Sequence, residues 1–337
     1  MHIRTIAWLA PLVLGCTSAA APPPAKPVEM PPIAAEPPRL VLQRRLERSD
    51  VGLGESGLAV GCALSPDGQR LAIPSQPVAF WDLSRDELLP RLAGSDDYTL
   101  AVAFGSSAND LAVGTLVGLD FWDLGRKQKH SVPDADGTTG YRLAYDGHVV
   151  ALMNMALGVL SLFHDSDHTR FAHINRNGRW GGAKSGKYPE MSLAGGRLAV
   201  PLDSAVEIFD MRDGSLSRSV PVPYIVEAVA LSTDGAHLAV ALQGSVAIHD
   251  LASSGPPRTL SIADVSALSF TPTALLYGTA TGDIGAVDPT TLETRGSVAA
   301  AHHGRVGCVA ARGERAISSA DDGGSAIWKM PSASARR

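Results

Sequence analysis

The apolar and polar positions of this chain alternate in short runs broken by turn residues, the pattern of half-buried strands. In 57–92, GLAVGCALS reads as one apolar strand and SPDG (65–68) as a tight turn. RLAIP (70–74) reads as a second strand, PVAFWD (77–82) as a third and ELLPRL (87–92) as a fourth. The third phrase then returns: AFWDL at 79–83, DFWDL at 120–124, LSLFHD at 160–165, VEIFDM at 206–211, VAIHDL at 246–251, IGAVDP at 284–289 and SAIWKM at 325–330. Counted from Trp81, the matching positions are Trp122, Phe163, Phe209, His249, Val287 and Trp328, with steps of 41, 41, 46, 40, 38 and 41 residues. A period near 40 marks a chain built from one supersecondary unit that needs neighbours to bury its second apolar face.

The second strand repeats as faithfully: LAIPS (71–75), LAVGT (111–115), VALMN (150–154), LAVPL (198–202), LAVAL (238–242), LLYGT (275–279) and AISSA (316–320). Seven copies of two phrases in fixed order predict an all-β, seven-bladed propeller of four-stranded antiparallel sheets. The seventh repeat runs out near Met330, and PSASARR (331–337) reads as a disordered tail, whereas RLVLQRRLE (39–47) is strand-like and unassigned. Closing the ring without exposed edges predicts that 39–47 completes the last blade, antiparallel to 324–330.

Over 39–330 the chain resembles the WD-repeat family of β-propellers. The last repeat, AHHGRVGCVAARGERAISSADDGGSAIWKM (301–330), carries the resemblance most fully. It implies a hydrogen-bonded tetrad of His302, Ser318, Asp322 and Trp328 that ties the blade together, a structural and not a catalytic set. The third and sixth repeats have Phe163-His164 and Val287-Asp288 where Trp-Asp stands elsewhere. They depend more on apolar packing.

Composition adds exclusions. Of 337 residues, 45 % are hydrophobic and 19 % charged, and the formal net charge of −5 offers no footprint for nucleic acid. Cys62 and Cys308 fall in the first and last repeats, neighbours if the ring closes. A bridge is one reading; the favoured one is two small buried thiols.

The amino terminus, MHIRTIAWLAPLVLGC (1–16), has Arg4 ahead of an apolar run too short to span a bilayer. It reads as a signal peptide over 1–15. Its VLGC ending resembles the lipobox of bacterial lipoproteins, which implies a diacylglyceryl group on Cys16 and a new N-terminus there. Residues 16–38 are then an Ala/Pro-rich tether. The expected place is the bacterial cell envelope, and Thr17, not an aspartate, favours the outer membrane over the inner.

The 46-residue step points to a functional insertion. Between 168 and 188 lie Arg170, Arg176, Arg179, Lys184 and Lys187, with Trp180 and Tyr188 among them and no acidic residue. Arg, Trp and Tyr are the residues enriched at binding hot spots. Arg176, Arg179, Trp180, Lys184, Lys187 and Tyr188 form the candidate partner-binding loop; the alternative is a solvated loop. His164, His168 and His173 with Asp165 and Asp167 make a local cluster, but no metal-ligand spacing, and no metal or cofactor is expected. G-x-S-x-G, a P-loop and H-E-x-x-H are absent, and GLGESG (52–57) lacks a following helix. In the predicted innermost strands only Glu227 is charged. The expectation is a monomeric, lipid-anchored scaffold that binds a protein partner, with a propeller hydrolase or lactonase as the alternative.

Overall fold

The computed structural model describes residues 40–47, 49, 61–75, 77–90, 92, 99–133, 141–154, 157–176 and 189–330. The signal peptide, Cys16, the tether, Arg179, Trp180, Lys184, Lys187, Tyr188 and the 331–337 tail lie outside them. The described residues form strands and turns without a helix, in seven four-stranded antiparallel sheets. Blade 1 is Ala63–Leu64, Arg70–Ile73, Ala79–Asp82 and Glu87–Leu89, and blades 2 to 6 repeat this order. Blade 7 takes Val306–Arg312, Arg315–Ala320 and Ser325–Lys329 from the C-terminal end and Val41–Leu46 from the N-terminal end. Val41 pairs with Lys329 and Leu46 with Ser325, so the closing strand is antiparallel to its neighbour.

Seven apolar clusters hold the ring, each shared by two successive blades. Ala72, Val78 and Phe80 of blade 1 meet Phe104, Leu111 and Trp122 of blade 2. At the seam, Leu46, Ile317 and Ile327 of blade 7 meet Leu64, Leu71 and Trp81 of blade 1. Second and third strands are therefore covered on both faces, which is why LAV runs are continuously apolar: Leu238, Ala239, Val240 and Ala241 are all fully buried. Fourth strands lie outermost, and Gln128–Pro133 is exposed throughout except at the half-buried Val132.

Turn chemistry follows the repeat. In SPDG the Asp67 carboxylate accepts the Ser65 hydroxyl and the Gln69 amide, while the Ser65 Oγ accepts the Arg70 amide. Asp234 and Ser232 repeat this in STDG. Gly68 and Gly235 take positive φ of 67° and 68°, where a Cβ is strained. The Asp after the aromatic position is likewise a turn former. Asp82, Asp123, Asp210, Asp250 and Asp288 each accept a backbone amide two or three residues on.

We call upper the face where first strands begin and fourth strands end, and lower the opposite face. Turns between second and third strands are thus upper, and those between third and fourth strands lower.

Candidate functional site

In blade 7 the Trp328 indole N–H donates to the Ser318 Oγ at 2.9 Å, and His302 Nε2 contacts the same oxygen at 2.7 Å. His302 is 4 % exposed, and burial holds its imidazole below the usual pKa. Asp322 stands off: its Oδ1 is 3.9 Å from His302 Nδ1, and its carboxylate accepts the amides of His303 and Gly324 instead. Three side chains are linked directly, and the fourth joins through the backbone.

Other blades lack the serine. Trp328 pairs with Ala316, two residues before Ser318; in the same register Trp81 pairs with Leu71, Trp122 with Leu111 and His249 with Leu238. The residues two further on are Ile73, Val113 and Val240. Correspondingly, Trp81 Nε1, Trp122 Nε1 and His249 Nε2 are buried without a hydrogen-bond partner.

The candidate loop is described only at its ends. Arg176 closes the fourth strand of blade 3, its amide donating to the Gly158 carbonyl. Its Nη2 lies 3.2 Å from Oε2 of Glu207, a mostly buried carboxylate on the third strand of blade 4. The hydrogen-bond geometry is poor, since Glu207 Oε2 and Arg176 Nε have no well-aligned partner. Arg176 thus bridges two blades through charge.

The histidines near it point apart. The His164 ring stacks on Phe171 and the His168 ring on Phe121 and His130, while His173 Nδ1 faces the Ser161 Oγ at 3.3 Å. Asp167 accepts from Thr169 in its own turn. Among the described residues no group of three potential ligands converges.

The first strands surround a central channel with a cavity of about 780 Å³. Much of its wall is Ala, Val, Leu and Gly. Near its upper mouth Arg142 Nε meets Glu190 Oε1 at 3.0 Å. Two-fifths of the Glu190 side chain faces the cavity, yet protein surrounds it. That enclosure pushes its carboxyl above the usual range, against the pull of Arg142. This pair joins residues 48 apart with no motif between them, and nothing in the sequence singled it out.

The wall also carries a disulfide, Cys62–Cys308, with Cα atoms 5.8 Å apart and a sequence separation of 246. The favoured reading of two separate thiols is corrected here. Ring closure places the innermost strands of blades 1 and 7 side by side, within bridging distance.

Arginines at one register tie neighbouring blades. Arg70 Nη1 donates to the Ala108 carbonyl, Arg197 to Gly235 and Arg315 to Gly68. Each opens a second strand, as RLAIP, RLAVP or RAISS, and that recurrence was visible in the sequence.

Seven large apolar side chains are exposed among the described residues. Val117 and Leu157 occupy upper turns of blades 2 and 3, and Tyr224 and Ile225 the upper connection from blade 4 to blade 5. The other three, Val41, Leu88 and Leu216, lie on fourth strands. Asn175, the last residue of the fourth strand of blade 3, and Ser192, the first of blade 4, lie on this same upper face, and residues 177–188 between them lie outside the described residues.

No protein-family model matches the chain, and no curated protein matches it significantly.

Proposed function

We propose that this protein is a lipid-anchored, WD-repeat-type propeller of the bacterial cell envelope that binds a partner protein through its upper face. The observation that carries this reading is that four of the seven exposed large apolar side chains among the described residues, Val117, Leu157, Tyr224 and Ile225, lie on that face. Large apolar side chains on the loops of a rigid scaffold are characteristic of recognition surfaces. The disulfide supports an oxidising compartment. The lipobox-like VLGC supports an anchor at Cys16.

The test is crosslinking and affinity capture of the full chain in its native cells, beside a Cys16→Ser variant. A reproducible partner with the anchored form, and lipid labelling that vanishes in the variant, are expected. No reproducible partner overturns the scaffold, and labelling that persists overturns the anchor.

Glu190 supports a second reading, a propeller hydrolase. A carboxyl held towards its protonated form beside a guanidinium, facing a cavity, suits proton transfer. Hydrolysis of ester or lactone substrates that disappears in Glu190→Gln would favour it over the scaffold.

A further inference from the structure

The repeat breaks at the lower mouth of the central channel. In each blade one residue ends the first strand opposite the start of the second. It is Ser65, Gly105, Asp146, Ala194, Ser232 and Thr271 in blades 1 to 6, and Arg312 in blade 7. Gly105 and Ala194 are small. The side-chain oxygens of Ser65, Asp146, Ser232 and Thr271 accept backbone amides of their own turns. Blade 7 alone gives this register to a long cationic side chain.

Arg312 lines the cavity of about 780 Å³ that runs along the axis. Its Nη1 donates to the carbonyl of the preceding Ala311 at 3.1 Å, and no other acceptor among the described residues meets the guanidinium. Unlike Arg70, Arg197 and Arg315, it ties no blade to the next. Solvent reaches it through the mouth, but protein surrounds its other sides, and that burial holds its pKa below the usual value. No carboxylate among the described residues offsets this. Asp146 lies three blades round the ring and serves the His148 and Val149 amides. Asp67, across the seam, accepts from Ser65 and Gln69. Glu314 is exposed in the following turn and does not raise the Arg312 pKa. At the far mouth Glu190 faces Arg142.

Beyond the guanidinium the wall is largely Ala, Val, Leu and Gly. The first strands of blades 1, 2, 5 and 6 reach this mouth at Leu64, Phe104, Leu231 and Phe270. Small-molecule sites occupy roughly 300–1,000 Å³, mostly apolar, with a few polar groups that fix orientation. A partly desolvated guanidinium without a counter-charge supplies such a group, and its paired N–H donors match a carboxylate or a phosphate.

We propose that the channel binds a single-chain amphiphilic anion, with its carboxylate or phosphate head on Arg312 and its apolar tail along the channel wall. Burying the tail removes apolar surface of both ligand and wall from water. The site goes beyond the upper-face partner and needs neither that reading nor a catalytic Glu190.

The test is photo-labelling of the full chain, purified from its native cells into lipid nanodiscs, with a diazirine-bearing dodecanoate, followed by mapping of the labelled peptides. Label in first strands, Ala228–Leu231 and Val306–Arg312 among them, is expected. Unlabelled dodecanoate or dodecyl phosphate suppresses it, and whichever acts at the lower concentration names the head group. Dodecylamine and dodecanol compete at least several-fold more weakly. Arg312→Gln lowers the apparent affinity about tenfold, and Arg312→Lys recovers part of the loss. Label confined to peptides outside the first strands, equal competition by dodecylamine or dodecanol, or unchanged affinity in Arg312→Gln overturns the proposal. Should a variant fail to fold, the competition series on the parent chain still decides. Failure of the proposal leaves capture of a partner protein unaffected.

Discussion

The indole N–H of Trp328 is satisfied by the Ser318 hydroxyl, whereas that of Trp122, at the same place in blade 2, is buried with no acceptor. A buried unpaired donor is destabilising by about 1–3 kcal/mol. The two tryptophans therefore respond differently to the same change. Trp122→Phe keeps the ring, removes the orphan and leaves stability unchanged or raised. Trp328→Phe and Ser318→Ala each break the His302–Ser318–Trp328 chain and lower stability by about 1–3 kcal/mol. Denaturant unfolding of the three variants checks this; equal losses would show that the shared hydroxyl contributes nothing.

The seam between blades 7 and 1 is clasped twice, by the outer strand Val41–Leu46 and by the inner Cys62–Cys308 bond. Closing so long a loop constrains the unfolded chain. Reduction, or a Cys62→Ala/Cys308→Ala double variant, is expected to lower stability by about 2–4 kcal/mol. The readout is the unfolding midpoint with and without reductant. A midpoint insensitive to reductant would mean that the non-covalent clasp is sufficient.

Leu46, 1 % exposed, plugs the cluster between those blades, while Val41 on the same strand is 53 % exposed. Leu46→Ala should destabilise the protein by about 2–5 kcal/mol, and Val41→Ser should leave it within about 0.5 kcal/mol of the parent. Limited proteolysis near the amino-terminal end of the ring distinguishes loss of the closing strand from global unfolding.

Acid should weaken the fold from near pH 6.5 downward. Burial depresses the pKa values of His302, His168 and His249, helped at His168 by His130 and at His249 by Arg218. Such groups bind protons more readily in the unfolded chain, whose histidines titrate at about 6.5. The stability they contribute is fully present above that value and is lost as pH falls through the depressed folded values. His249→Phe introduces the residue found at Phe163 and Phe209, removes an unpaired buried nitrogen, and should flatten part of this pH dependence. Melting curves between pH 5 and 8 are the check. An unchanged slope would remove His249 as a contributor.

Repetition made the blades legible, because each strand must present apolar groups to two neighbours and the same residue types recur. It also made the closing strand legible: seven third strands needed seven fourth strands, and only 39–47 remained. The disulfide was not legible, since the common burial of free thiols favoured two separate cysteines, and only Cα atoms 5.8 Å apart show the bridge. Nor was the link between Arg142 and Glu190, which depends on where two successive blades meet around an axis. The partial tetrad shows the limit of a motif. His302, Ser318 and Trp328 are linked directly, but Asp322 spends its oxygens on backbone amides. Arg176 reads as part of a basic loop and turns out to lie against Glu207.

The closing strand enters blade 7 at the lower rim, with Val41 opposite Lys329. On the proposed anchor, force enters the ring at Val41, on the side opposite the upper docking face. A pull between bilayer and partner then loads Val41–Leu46 first, peeling an outer strand away from Ser325–Lys329. The covalent Cys62–Cys308 link lies farther along the chain and on the inner rim, so blades 1 and 7 stay joined after the outer strand gives way. Under tension the ring slackens at its edge before it opens at its axis.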